Sequence, residues 1–239
     1  MKQFFLSALS FLSATAIAQV NNVDSSFQKE LIPVELKSVR ANSKAPFTKT
    51  NLKKEDIAKL NTGADLPFVL NNTPNVVVQS DAGNGVGYTG LRIRGTDATR
   101  INFTLNGIPF NDAESQGTFF VNMPDFLSNV SSIQIQRGVG TSTNGVGNFG
   151  ASVNMSTNEI IDKATAEINN SIGSFNTYKH TIKASSGLLN KHFTIDARLS
   201  KISSDGYVDR ATSNLQAFYF STAYFSKKSS LRLNIFSGK

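Results

Sequence analysis

The chain has 239 residues, a formal charge of +7 and 39% hydrophobic residues, enough for one or two domains. It contains no Cys and no Trp, which excludes a disulfide framework and a thiolate metal site. Its cations are scattered, with no basic run interleaved with aromatics, which argues against nucleic acid as a partner.

The chain opens with Met1-Lys2, an apolar stretch from Phe4 to Ala16, and Ala16-Ile17-Ala18 before Gln19. That pattern predicts a secretory signal peptide over 1–18. The apolar stretch is too short to span a bilayer, and nothing later supplies a transmembrane helix. Residues 19–49 are polar and without a sustained period. Within them Val34-Glu35-Leu36-Lys37-Ser38-Val39 alternates apolar and polar, so a short strand could form on a partner's sheet edge. On the residues alone, a plain linker explains this stretch better.

From residue 50 the pattern becomes mixed α and β. Asn51 is placed to cap a helix running to Leu60, with Leu52, Ile57 and Leu60 inward, and a second short helix is predicted from Asp65 to Leu70. Val76-Val77-Val78 reads as a buried strand, followed by a glycine-rich loop over 81–90. Leu91 and Ile93 share one strand face and Arg92 and Arg94 the other; Ile101, Phe103 and Leu105 repeat the arrangement and end at Asn106-Gly107, a hairpin turn signal. A polar loop over 111–118 leads to a short helix starting at Pro124-Asp125-Phe126-Leu127.

Gly145 to Gly150 reads GVGNFG, the spacing of a dinucleotide-binding loop. The context opposes it. Ile133-Gln134-Ile135-Gln136-Arg137 before it and Ala151-Ser152-Val153-Asn154-Met155-Ser156 after it both alternate as strands, so no helix N-terminus receives a phosphate. The overlapping P-loop spacing from Gly140 to Gly145 is followed by Val146, not Lys. His180 and His192 stand apart, and no nucleophile–base pair or metal-ligand spacing is visible, so neither an enzymatic activity nor a cofactor is expected.

After Thr157 about five strands of roughly ten residues are predicted between Ala164 and Lys239, as in Phe193, Ile195, Ala197 and Leu199 alternating with Thr194, Asp196, Arg198 and Ser200. That length and period fit outer-membrane strands; a soluble β-sandwich shows the same alternation. Five strands cannot close a transmembrane barrel, and the sequence stops within a strand, so a longer protein is expected.

Two segments, LRIRGTDATRINFTLNGIPFND (91–112) and SIQIQRGVGTSTNGVGNFGASVNMST (132–157), resemble the two halves of a TonB-dependent receptor plug. The stretch 111–130 further resembles receptors of Bacteroidetes-type bacteria. The resemblance implies an α+β plug domain over 50–157, followed over 158–239 by the first antiparallel strands of a large plugged transmembrane barrel. It implies an outer-membrane receptor importing a scarce nutrient: a ferric siderophore, another iron chelate, or cobalamin. The absence of a carboxypeptidase-like extension tilts the reading away from large glycans. The rival is a secreted or surface β-rich adhesin or carbohydrate-binding module.

The implied partners are a periplasmic TonB-type energy-coupling protein, outer-membrane lipid and the small-molecule substrate. The resemblance places a TonB-box-like segment at Val34, Glu35, Leu36, Lys37, Ser38, Val39, Arg40 and Ala41, although Lys37 and Ser38 depart from the usual form. Arg94 and Arg137 match plug arginines that pair with wall carboxylates, expected mostly beyond Lys239. The loops 81–90 and 111–118 would face outward, offering Asp81, Asn84 and Tyr88 from one and Asn111, Asp112, Glu114 and Gln116 from the other, with Phe119 beside them. Turn chemistry alone also explains these residues.

Overall fold

The computed structural model describes residues 39–141, 148–226 and 229–239. The leader, positions 34–38 of the TonB-box-like segment and residues 145–147 of the GVGNFG loop lie outside the described residues.

A five-stranded sheet organises the first half. Its strands are β1 (Lys49–Lys53), β4 (Ile101–Leu105), β5 (Ile108–Pro109), β6 (Ser132–Arg137) and β7 (Ala151–Ser156), in the order β1-β6-β7-β4-β5. Only β4 and β7 pair in parallel. Period-two alternation gives the sheet two unlike faces. Ile101, Phe103, Leu105, Ile133, Ile135, Val153 and Met155 form one face and are buried in a single hydrophobic cluster. The opposite face carries Asn102, Thr104, Gln134, Gln136, Ser152 and Asn154, which are also buried.

Two short helices and two 3-10 turns cover the apolar face. Helix α1 (Lys54–Leu60) buries Ile57, and Glu55 and Asp56 in its first turn complement the helix dipole. Helix α2 (Leu66–Val69) has Pro in its first turn, where no N–H is needed, and buries Leu66 and Val69. The turns Phe120–Asn122 and Phe126–Asn129 add Phe120, Phe126 and Leu127 to the same cluster. The Phe103 and Phe120 rings meet edge to face at 5.3 Å, a favoured aromatic geometry.

The expected helix from Asn51 is corrected. Residues 49–53 pair with β6 in register, Lys49 opposite Gln136 and Lys53 opposite Ser132, and α1 begins only at Lys54. An available strand edge with a ladder of backbone hydrogen bonds overrides the capping propensity of Asn51. Leu52 still reaches the core, from a strand. The expected buried strand at Val76 is an exposed ribbon instead: β2 (Val76–Ser80) pairs only with β3 (Thr89–Ile93), so Val76 is buried while Val77 is 64% exposed. The Asn106-Gly107 turn closes the β4–β5 hairpin with φ of 53° and 84°, the positive values that a two-residue hairpin turn requires.

The second half is one antiparallel meander: β8 (Thr165–Gly173), β9 (Thr177–Ser185), β10 (Phe193–Ser204), β11 (Ser213–Phe225) and β12 (Ser230–Gly238). Inward positions are buried against the first half, among them Lys179, Thr181, Arg198, Ile202 and Tyr219. Outward positions are apolar and exposed: Ile168, Ile182, Leu199, Phe218, Leu233 and Ile235. A β-surface apolar on its outside and polar within is the pattern of a barrel wall in lipid. The first half packs on the inner side, with Phe126 edge to face on Tyr219 at 6.2 Å and 5.1 Å from Phe236. No helix among the described residues is long and apolar enough to cross a membrane.

Candidate functional site

The loop between β2 and β3 alternates glycines at Gly83, Gly85 and Gly87, all with φ between 72° and 87°. At Gly83 the reason is a close approach as well as the turn: an added Cβ would lie 2.9 Å from Tyr207 Cβ. The neighbouring carbonyl of Ala82 accepts the Tyr207 N–H at 2.8 Å and that of Val208 at 3.3 Å. Asn84 Nδ2 donates to Ser204 Oγ at 2.5 Å. The loop is thereby fastened to the β10–β11 connection. That connection in turn meets the β8–β9 turn, where Asn176 Nδ2 donates to Asp205 Oδ2 at 2.6 Å and Phe175 packs edge to face on Tyr207 at 5.3 Å.

Beneath this loop sits Asp65, a residue that sequence reasoning placed only at a helix start. Its N–H donates to the Gly85 carbonyl at 2.9 Å and its Oδ2 accepts the Thr89 hydroxyl at 2.9 Å. Its Oδ1 has no hydrogen-bond partner. Burial raises its pKa to about 7, against the lowering effect of hydrogen bonds from Thr89 and the Gly87 backbone.

Of the expected ligand-facing residues in this loop, Asp81 and Tyr88 are exposed, whereas Asn84 serves the wall contact. In 111–118 the polar groups mostly fold the loop itself. Asn111 Nδ2 donates to the Ile101 and Gln116 carbonyls, and its Oδ1 accepts the Phe103 N–H at 2.7 Å. Asp112 Oδ1 accepts the Ser115 N–H at 2.7 Å, the Ser115 hydroxyl at 2.8 Å and the Glu114 N–H at 3.1 Å. Those bonds, the Ser115 N–H foremost, hold the Asp112 carboxyl below its ordinary range. Gln116 adopts φ of 59° and donates to the Ala113 carbonyl. Glu114 and Phe119 are exposed. Among the described residues no hydrogen bond joins the two loops.

Arg94 and Arg137 converge. Arg94 Nη1 lies 2.5 Å from where a Cβ on Gly138 would stand, so glycine at 138 is what admits the guanidinium. Arg94 N–H donates to the Asn75 carbonyl and Arg137 Nη1 to the Pro74 carbonyl, both at 2.9 Å. Arg94 is exposed, and neither arginine meets a carboxylate among the described residues.

Among the described residues, the buried ion pairing between the first half and the meander has the opposite polarity. Asp125, a plug residue at φ of 52°, accepts Lys179 Nζ of β9 at 2.7 Å and faces Arg198 Nη1 of β10 at 3.2 Å. Thr181 and Ser128 donate hydroxyls to it at 2.7 and 2.6 Å. Arg198 also donates to the Asp125 carbonyl, and Lys179 Nζ to Asn61 Oδ1 at 3.0 Å. Burial raises the Asp125 carboxyl, but the two cations, with the hydrogen bonds from Lys179 and Ser128, outweigh it and hold it below the ordinary carboxylate range. Sequence reasoning missed this triad. The available signal was a lysine and an arginine at inward positions of strands whose other face is apolar.

At the N-terminal side, Val39, Arg40 and Ala41 of the TonB-box-like segment lie against the polar face of the five-stranded sheet. Residues 41–152 match the family of the TonB-dependent receptor plug domain. No curated protein matches the sequence. Among solved structures, the ferripyoverdine receptor of the Pseudomonas aeruginosa outer membrane is similar at 14% identity and a TM-score of 0.67, covering 87% of this chain and 27% of that one. The ferric-catecholate import receptor Fiu of E. coli K12 is similar at 17% identity and a TM-score of 0.64, covering 81% of this chain and 27% of that one. The copper transporter OprC is similar at 16% identity and a TM-score of 0.62, covering 83% and 32%. The chain thus spans about a quarter to a third of the length of these structures.

Proposed function

We propose that this chain, whose residues 41–152 match the TonB-dependent receptor plug domain, works in an outer-membrane importer of a scarce nutrient, most simply a ferric siderophore or another chelated metal, with cobalamin the remaining candidate. The observation that carries the reading is the way plug and wall are joined. An α+β domain is held by a buried Asp125–Lys179–Arg198 cluster on the inner face of a sheet whose outer face is apolar. A secreted adhesin has no use for such an outer face, because exposed apolar surface of that extent belongs in lipid or in an interface.

The substrate class is supported by what the similar structures carry: a ferripyoverdine receptor, a ferric-catecholate receptor and a copper transporter. In this chain Tyr88, exposed on the 81–88 loop, offers flat apolar contact, and Asp81 and Glu114 offer polar contact. The substrate lands on that side. A periplasmic TonB-type partner pairs with the segment 34–41 by strand addition, pulls on the plug and opens a path. Arg94 and Arg137 are read as partners of wall carboxylates outside this sequence.

Growth of a deletion strain on single iron chelates, copper and cobalamin, complemented with the full-length gene, tests the proposal. Restored growth on one chelated metal is expected. Equal growth of deletion and parent strains on every source would sink it.

A further inference from the structure

The outward face of the meander is apolar for most of its height and ends differently at its two rims. On β10 it turns out Phe193, Ile195, Ala197 and Leu199 before reaching Lys201. From Phe193 to Lys201 the strand rises roughly 26 Å, at about 3.3 Å per residue. That is the scale of the apolar band of a barrel wall. Phe193 marks one rim. Its ring lies 5.0 Å from that of Tyr224, and the His192 ring lies 5.8 Å from Tyr224. Such an aromatic cluster suits a membrane–water interface. The opposite rim is built from other residue types.

There the strand registers bring five polar side chains into one row. Asn170 of β8 stands opposite His180 of β9, His180 opposite Lys201 of β10, and Lys201 opposite Gln216 of β11. Gln216 and Lys239 exchange both backbone hydrogen bonds, at 2.7 and 2.8 Å, which extends the row past β12. All five side chains are exposed on the outward side. The row lies close to the β10–β11 connection, so it shares an end of the wall with Tyr207 and the 81–88 loop. The His180 ring is oriented by Asn170, with Nδ1 and Oδ1 2.7 Å apart. Neither lysine meets a carboxylate among the described residues, and no outward position of β8 to β12 is Asp or Glu.

A groove of about 610 Å³ crosses this row. His180, Lys201 and Lys239 line it with polar groups, and Ile182, Leu199 and Phe218 line it with apolar surface. We propose that the groove binds a phosphate-bearing lipid of the surrounding membrane, its headgroup on Lys201 and Lys239 and an acyl chain along Ile182, Leu199 and Phe218. Charge and shape select this occupant. A lysine ammonium is a compact cation that pairs well with phosphate oxygens, and here two of them have no carboxylate of their own. A zwitterionic headgroup would bring a further cation against them. Their long apolar stems can lie on the band while the charged heads reach headgroup level. The apolar half of the groove is continuous with that band, so a lipid chain meets the same surface there as everywhere else on the wall.

The test titrates the purified full-length receptor, in neutral detergent, with phosphatidic acid and separately with phosphatidylcholine. Native mass spectrometry counts the lipid retained. The parent protein should hold phosphatidic acid at least tenfold more tightly. Lys201→Gln with Lys239→Gln should remove that preference, whereas Lys201→Arg with Lys239→Arg should keep it. Equal affinity of the parent for the two lipids overturns the proposal, and that comparison needs no variant to fold. A preference that survives in a heat-modifiable double Gln variant places the lipid elsewhere on the wall and overturns it as well. Displacement of phosphatidic acid by inorganic phosphate would make the groove a site for the free anion and overturns the lipid as its occupant. None of these outcomes depends on the nutrient carried or on the coupling segment, so a failure here is distinct from a failure of the importer reading.

Discussion

The Asp125 carboxylate of the plug lies 2.7 Å from the Lys179 ammonium of the wall, and both side chains are almost wholly removed from water. The pair gains its value from what surrounds it. Arg198, Thr181 and Ser128 complete the carboxylate's partners, so little of the desolvation cost is left uncompensated. Asp125→Asn leaves two buried cations facing each other. It should destabilise plug docking by about 3–5 kcal/mol. Limited proteolysis of the plug in intact outer membranes reads the effect, and a variant as resistant as the parent would mean that the plug is held elsewhere.

Asp65 and Asp125 respond to pH in opposite senses. Asp125 is held below the ordinary carboxylate range, so its contribution is complete above that range and is lost only as pH falls through the depressed value. Asp65 titrates near 7, so the folded state binds a proton that the unfolded chain has already released. Its local structure should weaken as pH rises from about 4 to about 7 and level off above. Amide protection factors at Gly85, Gly87 and Thr89, taken against the intrinsic base-catalysed rate at each pH, should fall over that interval and lose the dependence in Asp65→Asn. A flat profile in the parent protein would show that the carboxyl stays ionised.

Much of this architecture is legible in the alternation of single strands. β6 and β7 stand out because Ile133, Ile135, Val153 and Met155 recur at period two, and the Asn-Gly turn marks the hairpin after β4. What pairing decides is not legible. Lys49–Lys53 has no strand composition and becomes a strand because β6 offers an edge. The same limit hid the anchor: nothing near Asp125 in sequence announces Lys179 and Arg198, which only the meander brings to it. The polar loop 111–118 reads two ways: Asn111, Asp112 and Gln116 have the composition of a binding loop, and their side chains bond largely to the backbone of the loop and of β4.

That internal bonding decides which substitutions test the ligand site. Gln116 sits at φ of 59° inside the turn, so truncating it disturbs the loop and confuses the result. Tyr88 and Glu114 are exposed and can be truncated with less disturbance. Tyr88→Ala with Glu114→Ala should weaken substrate binding about tenfold, or roughly 1.4 kcal/mol, with outer-membrane abundance unchanged. Titration of the purified receptor with the substrate identified by growth measures this. Parental affinity would move the site off these plug loops.

Gly83 tests whether the 81–88 loop must stay fastened to the wall. Its φ of 72° costs an alanine roughly 1–2 kcal/mol, and the new Cβ would press on Tyr207. Gly83→Ala should detach the Ala82 carbonyl from the Tyr207 N–H and raise the mobility of a spin label on the β10–β11 connection. Gly95 also has a positive φ but nothing within 4 Å of its Cβ position, so Gly95→Ala carries the backbone strain without the clash. Equal spectra for the two variants would assign the effect to strain alone.

The coupling strand is tested by removing a backbone donor. Strand addition is made by main-chain hydrogen bonds, so most side-chain changes over 34–41 should be tolerated and proline should not. Val39 is the informative position because its carbonyl already serves the plug, accepting Gln136 Nε2 at 3.2 Å and Thr141 Oγ1 at 3.4 Å. Neither bond uses the Val39 N–H, so Val39→Pro leaves both acceptor contacts available while denying a partner strand its donor. Ser38→Pro does the same one residue earlier, with alternate donors of an extended segment facing opposite sides. At least one of the two should therefore abolish uptake while surface binding of the substrate stays at the parental level. Normal uptake in both would place the coupling segment elsewhere, and loss of surface binding in either would mean that the proline had disturbed the plug itself.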